Sequence, residues 1–277
     1  MVGSTSVLSL SQKSQIKQIA WHGLFGGIGA LLLLAAVSLV VVNALFLGWS
    51  DFWHYLGRPR TWSSLWITIW TAALATAISL AIGIPAGYAL SRRRVPLSGL
   101  AHTLIDLPVM VPPAAVGIFL LGVFKSFPAA ELSTWLGLQV HHAVPGVVVA
   151  QVAVTLAFGI RLIKASFDAV SPRYEAVSRS LGASLPRTFF SVSLPLARNG
   201  ILASVIVIWA RAAAEWEALM LFVGGIQGRT DTLPFAVYLD WNGGILGWSL
   251  TNSLFCVVIA LGSMYAVRRL GGRGHVY

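Results

Sequence analysis

The sequence has few charged residues: Asp, Glu, Lys and Arg make up 10% of its 277 positions, against about a quarter in an average soluble domain. Its one cysteine, Cys256, lies in an apolar run, which excludes a disulfide framework and a cysteine-ligated metal site. The six histidines have no metal-ligand spacing, and no phosphate-binding glycine loop, G-x-S-x-G or H-E-x-x-H motif is present. The sequence therefore argues against a membrane-embedded enzyme, and we expect the chain to bind neither metal nor cofactor.

Apolar residues are abundant instead, at 57% of the chain, and the mean hydropathy is +0.79. We predict an all-α polytopic membrane protein with six transmembrane helices, because six segments are apolar and long enough to cross a bilayer. These segments are approximately 24–47, 62–90, 105–124, 144–163, 200–222 and 245–267. The predicted transmembrane domain covers 24–270, between an N-terminal segment 1–23 and a tail 271–277.

The basic residues predict the orientation of these helices. Fourteen of the nineteen lie in the N-terminal segment, in the regions that end the second and fourth spans and follow them, or at the C-terminal end from residue 268 onward. Basic residues collect on the cytoplasmic side of membrane proteins, so both termini are expected in the cytoplasm. The net charge of +10 is then a topology signal that requires no nucleic acid. The opposite loops are neutral: they hold Arg58, Arg60, Lys125 and Arg229, and also Asp51, Glu131, Asp231 and Asp240.

Helix-breaking residues interrupt two of the predicted spans. Pro112 and Pro113 predict that the third begins as irregular backbone, which is tolerated at membrane depth only inside protein or along a water-filled cavity. This favours a place on a transport pathway; the alternative is a kinked packing helix. Gly83, Pro85 and Gly87 predict a bend or loosened last turns near the end of the second span.

Two opposite charges lie within the predicted fifth span. Arg211 and Glu215 are four residues apart and share a helical face, where pairing offsets the roughly 2.5–3.5 kcal/mol that each alone would cost in the membrane. The pair either fixes helix packing or contacts the transported solute, while Glu217 lies on another face. Five further polar residues are expected to hydrogen-bond neighbouring helices: Thr68, Thr71, Thr76, Gln151 and Thr155.

The polar stretch between the fourth and fifth spans predicts a helix–turn–helix. Ser171 can cap a first helix, Gly182 suits the left-handed position at its end, Ser184 can cap a second, and Pro195 closes it. Such short helices need a surface to pack against. The stretch is therefore either a connector at the membrane surface or a docking element for a soluble partner.

The first of these helices carries an apolar stripe formed by Tyr174, Val177 and Leu181. The order Glu175-Ala176-Val177, then Gly182, then Leu194-Pro195 resembles the EAA loop of permease subunits in binding-protein-dependent ABC importers. The resemblance implies coupling helices that dock onto a cytoplasmic ATPase. The contact residues would be Tyr174, Glu175, Ala176, Val177, Leu181, Gly182 and Ala183, with Leu194 and Pro195 closing the loop.

Three further segments, 106–117, 188–200 and 232–238, resemble the molybdate/tungstate permease branch of that family. The resemblance implies a homodimer of permeases, two separate ABC ATPases that use ATP and Mg, and an extracytoplasmic oxyanion-binding protein. Candidate pathway or gate residues are Pro112, Pro113, Arg211 and Glu215. The sequence departs from the branch where a Gly-Glu-Phe-Gly run is usual, because residues 214–217 read Ala-Glu-Trp-Glu.

The expected function is that of an inner-membrane permease subunit that moves an oxyanion, molybdate or tungstate, by alternating access. A permease for sulfate or another oxyanion is the alternative within the same superfamily. A stand-alone secondary transporter is a second alternative, in which Arg211, Glu215 and Glu217 would relay protons or ions.

Overall fold

A computed structural model describes residues 22, 25–31, 34–35, 37–38, 40–92, 110–126, 131, 135, 137 and 139–270. The chain forms two compact units, residues 1–51 and 52–277. All regular secondary structure in the described ranges is helical, which confirms the all-α prediction.

Residues 25–31 and 40–47 have helical backbone. The helices that follow are given in chain order. They are α1 (Trp49–Leu56), α2 (Pro59–Ser91), α3 (Pro113–Lys125), α4 (Val144–Asp168), α5 (Pro172–Ser180), α6 (Leu185–Thr188), a π-helical turn (Phe189–Ser193), α7 (Leu194–Ala213), α8 (Glu217–Phe222), α9 (Leu233–Asn242) and α10 (Leu246–Leu270).

Four helical segments of the described chain are long and apolar enough to cross a membrane: Pro59–Ser91, Val144–Asp168, Leu185–Ala213 and Leu246–Arg269. They correspond to the second, fourth, fifth and sixth predicted spans. The first predicted span lies partly outside the described residues. Of the third, the structure describes the 13-residue helix α3, which at 1.5 Å per residue is about 20 Å long and too short to cross alone.

The fifth span differs from its prediction as a helix from about Gly200 to Phe222. Helical backbone begins at Leu185, runs through the π-helical turn and ends at Ala213, and α8 follows after a break. Pro195 therefore does not close the second short helix, and Leu194 likewise lies inside a helical segment. Proline is tolerated in a first turn, and the wider π turn, in which the Leu194 N–H donates to the Phe189 carbonyl, lies just before Pro195.

Close contact between α2 and α4 forms the centre of the second unit. A Cβ atom on Gly83 or on Gly87 would lie 2.9 Å from a side-chain carbon of Ile163, and one on Gly87 would also lie 3.0 Å from the main-chain nitrogen of Lys164, so Gly87 in particular allows this approach. The helix continues through Pro85 to Ser91, with no interruption at the predicted bend. The helix α7 packs against both, and Gln151 of α4 donates a 3.1 Å hydrogen bond to the carbonyl of Ala212, which confirms the predicted role of Gln151.

Candidate functional site

The helix α5 begins and ends at the predicted residues. The Ser171 hydroxyl accepts a 3.4 Å hydrogen bond from the N–H of Arg173. Gly182 has φ +88°, its N–H donates to the carbonyl of Arg179 at 3.0 Å, and the next N–H donates to that of Ser178 at 3.2 Å. This double closure needs a residue that adopts positive φ at little cost, which is glycine. Ser184 precedes α6 as predicted, but its side chain makes no capping hydrogen bond.

The predicted apolar stripe lies on the exposed side of α5. Tyr174 is 58% exposed, Val177 59% and Leu181 83%. The stripe borders an open groove of about 690 Å³, which Arg187 and Ser191 also line. Two large apolar side chains of this nine-residue helix and a third on the residue that follows it are open to solvent, which is the composition of a docking surface.

Glu175 lies on the opposite, buried side of α5, although the sequence groups it with the docking residues. One carboxylate oxygen accepts hydrogen bonds from Arg92 Nε at 2.7 Å and Ser193 Oγ at 2.8 Å, and the other accepts from the Tyr88 hydroxyl at 3.1 Å. Burial raises the pKa of Glu175, but these hydrogen bonds and the charge of Arg92 outweigh it and hold the pKa below its ordinary value. Glu175 therefore fastens α5 to the membrane helices as an anion.

Arg92, the first residue after α2, is the partner of Glu175 and is 94% buried along its side chain, with 6% exposed. Besides Glu175, its guanidinium donates to the carbonyls of Phe167 and Val170, both at 3.1 Å, and to the hydroxyl of Ser91 at 2.9 Å. The planar guanidinium fork thus joins α2, the end of α4 and α5. Arg93 and Arg94 lie outside the described residues.

Sequence reasoning missed this role of Arg92 because it treated Arg92 only as part of a basic run that sets topology. A signal was available in α5 itself: Glu175 is the one acid between Asp168 and Glu215. An isolated acid on a short helix, beside a span that ends in arginines, is a reason to look for an ion pair between them.

A second set of candidate residues lies where α7 ends. Arg211 and Glu215 form the predicted pair, with Nη1 of Arg211 2.8 Å from Oε2 of Glu215. The geometry differs from that expected, because Glu215 follows the end of α7 and its Oε1 accepts a 3.0 Å hydrogen bond from the N–H of Ala218 in α8. Glu215 is 2% exposed and the Arg211 side chain 36%. Both oxygens of the Glu215 carboxylate thus have partners, one on each side of the break, while the guanidinium of Arg211 is partly exposed.

The break itself contains Ala214, Glu215 and Trp216, the last with φ −142°. The ring of Trp216 stacks at a tilt on Tyr238 of α9, with 4.8 Å between centroids. These two rings line a cavity of about 460 Å³, and Ala214 lines a second one of about 130 Å³. Glu217, the first residue of α8, is half-buried.

The remaining candidates, Pro112 and Pro113, lie at the start of α3. Pro112 has extended backbone (ψ 137°) and Pro113 is the first helical residue, so the described part of the predicted irregular segment is residues 111–112. The helix α3 packs against α8 so closely that a Cβ on Gly117 would lie 2.8 Å from the carbonyl oxygen of Ala218. The contact at Gly117 therefore places the helix that begins at Pro113 directly against α8, the helix that follows the break holding Glu215.

The other end of α2 carries a cluster that the sequence did not predict. The Arg60 guanidinium lies 2.7 Å from a carboxylate oxygen of Asp240 and 3.5 Å from one of Asp231, and 4.8 Å over the ring of Trp248. Both acids are buried, and the sequence assigns them to the loops opposite the basic side without predicting this burial. Burial raises the pKa of Asp231 above its ordinary value, and the hydrogen bond from the Gly228 N–H and the charge of Arg60 offset this only in part.

This cluster is continuous with the 232–238 segment. The N–H of Leu233, at the start of α9, donates a 2.7 Å hydrogen bond to the hydroxyl of Thr68 in α2. The hydroxyl of Ser64, one turn earlier on α2, donates to Asp231 at 3.2 Å. Ser64 and Thr68, on one polar face of α2, thus fix the beginning of α9 and the loop before it.

Residues 79–270 match the protein family described as "Binding-protein-dependent transport system inner membrane component". The "Molybdate/tungstate transport system permease protein WtpB" of Thermococcus kodakarensis is 31% identical over 191 residues, which cover 69% of this chain and 71% of the relative. The "Sulfate transport system permease protein CysW" of Synechocystis sp. is 30% identical over 214 residues, which cover 76% and 77%.

A solved bacterial ABC transporter "involved in the import of the acidic polysaccharide alginate" contains a chain with a similar fold. The TM-score is 0.68 at 15% identity, over 95% of this chain and 99% of the other. The helical arrangement described above is therefore shared with a chain of that transporter.

Proposed function

This chain belongs to the family of binding-protein-dependent transport system inner membrane components, and we propose that it admits an oxyanion, molybdate or tungstate, into the cytoplasm by alternating access. The observation that carries the proposal is the construction of α5. Its apolar stripe faces outward, while Glu175 fastens its other side to the ends of α2 and α4. This is the arrangement expected of an element that passes the motion of a soluble partner to membrane helices.

The proposed partner at the stripe is a separate ABC ATPase, two copies of which would serve a homodimer of this chain. ATP and Mg would be bound by those ATPase subunits, and this chain would bind no cofactor and catalyse no reaction itself. Tyr174, Val177 and Leu181 supply the apolar contact, since large exposed side chains around a groove provide most of the affinity of such interfaces. The residues around them, Ala176, Gly182 and Ala183, set the shape of the contact.

The distribution of basic residues supports the orientation of the proposed importer. Both termini, the Arg92 end of α2 and α5 would lie in the cytoplasm, with residues 24–270 as the transmembrane domain. The Arg60 end would face the extracytoplasmic binding protein that delivers the oxyanion. High affinity for the cargo would reside in that binding protein, which is consistent with a permease that holds few cations at membrane depth.

The proposed gate is the break between α7 and α8 together with the start of α3 at Pro112 and Pro113. Its backbone is irregular, and it adjoins two cavities. Arg211 offers guanidinium N–H groups to a passing anion from a partly exposed position, while Glu215 is held on both oxygens. The nearby carboxylate keeps the attraction for an anion weak, which a pathway requires if the ion is to leave again.

A sulfate permease is the second candidate, because the Synechocystis relative that carries that name is about as similar to this chain as the molybdate/tungstate relative. The two candidates share a tetrahedral dianion and differ in its size and in the binding protein that presents it.

Proteoliposomes that contain this chain, its ATPase and its binding protein would separate the candidates. We expect ATP hydrolysis and uptake to be stimulated by binding protein loaded with molybdate or tungstate, and not by the sulfate-loaded form. Stimulation by sulfate alone would assign the cargo to the second candidate, and no stimulation by any of the three would overturn oxyanion import.

The same preparation tests the docking surface. Leu181→Ser should weaken ATPase binding by roughly tenfold, the loss expected for one well-exposed apolar contact, without altering thermal stability. Leu185→Ser is the matched control, since Leu185 is 45% exposed but does not line the groove. Equal affinities in the two variants would contradict docking at the stripe.

A further inference from the structure

The contacts of Arg92 go beyond those of an ordinary surface basic residue. Each of its three guanidinium nitrogens donates to a group on a different part of the chain or to the neighbouring hydroxyl: Nε to Glu175, Nη1 to Ser91 and Phe167, and Nη2 to Val170. Its side chain is 6% exposed in a region where the neighbouring α5 is largely open to solvent. A buried, fully engaged arginine fixes the relative positions of the groups it binds.

The helix α5 depends on this contact. It has nine residues, which is too short for a stable isolated helix, and Glu175 is its buried residue. The chain itself connects α5 to α4 before it and to α6 after it. The link from α5 to α2 is made by the side chains of Tyr88 and Arg92, both of which donate to the Glu175 carboxylate.

We propose that Arg92 is the positioning residue that makes the end of α2 follow α5 when the soluble partner moves it. This rests on the proposed function of α5 as the docking element. A force on the exposed stripe reaches Glu175 through the width of one short helix, and Glu175 passes it to Arg92. Because Arg92 also holds the carbonyls of Phe167 and Val170, the ends of α2 and α4 move together with α5.

A buried ion pair transmits such a displacement well because it cannot separate without leaving a charge unpaired in a poorly solvated place. A lysine at position 92 would keep the charge but lose the planar fork, and could not reach Glu175 and both carbonyls at once. A glutamine would lose the charge as well. Arg92→Lys should therefore weaken the link between α2 and α5, and Arg92→Gln should weaken it further. Neither substitution changes the exposed stripe of α5.

The test uses the complete transporter, reconstituted with its ATPase and binding protein, in unmodified form and with Arg92→Lys, Arg92→Gln or Lys164→Gln. The last is the matched control, because Lys164 makes a 2.6 Å ion pair with Asp168 in the same region but with both side chains more exposed. Two quantities are measured: ions taken up per ATP hydrolysed, and ATP-dependent changes in hydrogen exchange in 85–91 and 172–180.

We expect ATP to change the exchange of both segments in the unmodified complex and in Lys164→Gln. In Arg92→Gln the change in 172–180 should remain while that in 85–91 is lost, and uptake per ATP should fall by roughly tenfold or more. Arg92→Lys should lie between the two.

Several results would overturn the inference. A retained exchange change in 85–91 in assembled Arg92→Gln complex would do so, as would an unchanged ratio of uptake to ATP hydrolysis in that complex. If Arg92→Gln does not assemble, the lysine variant decides, and an unmodified ratio there rejects the proposal. The exchange measurement needs no particular cargo, so a complex that transports none of the three oxyanions would refute the proposed function and still decide this point.

Discussion

The two ends of α2 each carry an arginine whose side chain is mostly covered, but the two arginines bind different groups. Arg60 faces two carboxylates, Asp231 and Asp240, and its side chain is 14% exposed. Arg92 faces one carboxylate, Glu175, and two main-chain carbonyls. At the Arg60 end one positive charge serves two acids, so burial decides the pKa of Asp231 and raises it. At the Arg92 end three hydrogen bonds reach one carboxylate, and together with the charge of Arg92 they lower the pKa of Glu175 despite burial.

This difference indicates what each end can do. The acids at the Arg60 end fix the beginning of α9 and the loop before it, so that end joins parts that are all largely buried. The Arg92 end joins membrane helices to a helix whose other side is exposed. The ion pairs at the Arg60 end therefore stabilise the fold, whereas the ion pair at the Arg92 end links the membrane helices to a helix that a soluble partner can reach.

The largest expected effect on stability comes from removing Arg60, which pairs with both Asp231 and Asp240. Arg60→Gln should lower the free energy of unfolding by about 3–5 kcal/mol, because it leaves buried carboxylates without a counter-charge. Thermal unfolding of the purified protein in detergent measures this. The matched control is Arg58→Gln, because Arg58 is exposed and its guanidinium lies 3.0 Å from the ring of His54, away from the buried acids. A similar loss in both variants would show that Arg60 does not hold the cluster.

The second expected effect concerns the exposed side of the Arg92 end. Gly182→Ala should destabilise the turn after α5 by about 1–2 kcal/mol, because alanine at φ +88° is strained even though its Cβ meets no atom within 4 Å. Uptake per ATP should fall while insertion into the membrane is unchanged. Gly122→Ala, also in open space but in the helix α3, should be neutral or slightly stabilising. Normal uptake in Gly182→Ala would contradict coupling through this turn.

The smallest expected effect is a pH response of opposite sign at the two ends. The lowered pKa of Glu175 contributes stability above its ordinary value of 4.5, and this is lost as the pH falls through the lowered pKa. The raised pKa of Asp231 means that its charged form costs stability at neutral pH, and this cost is relieved as the pH falls toward 3.8. Exchange protection in α5 should therefore be kept on mild acidification and fall only as the pH passes through the lowered pKa of Glu175, whereas protection in 228–231 should rise as the pH falls toward 3.8.

Hydrogen exchange across a pH series, corrected for intrinsic rates, checks this pair of responses. Glu175→Gln should remove the acid response of α5, and Asp231→Asn should remove that of 228–231. Loss of protection in α5 well above pH 4.5 would contradict the description of Glu175 as a strongly hydrogen-bonded anion.

The sequence predicted the features that depend on neighbouring residues. The cap at Ser171 and the left-handed turn at Gly182 follow from local backbone chemistry, and the structure has both. The pairing of Arg211 with Glu215, four residues apart, was predicted for the same reason. Even there the path of the backbone was wrong, since a break follows Ala213 where one continuous helix was expected.

The contacts that sequence reasoning missed join residues far apart in the chain. Arg60 and Asp231 are 171 positions apart and Arg92 and Glu175 are 83 apart, so no periodicity or spacing relates them. Pro195 shows a different limit: proline ends one helix or begins another, and the choice here depends on packing of the whole segment that follows. Burial of Asp231 and Asp240 depends in the same way on where α9 packs.

The length of α2 has a mechanical consequence. Its 33 residues make a rod about 50 Å long, and its midpoint falls at Ala75, which is fully buried against the last turn of α7 at Ala212 and Ala213. Tilting such a rod by about 5° about its middle would move each end by roughly 2 Å in opposite directions. The fulcrum would scarcely move. The break that follows Ala213 adjoins this buried cluster, so it would be displaced less than either end of α2 when one end is pulled.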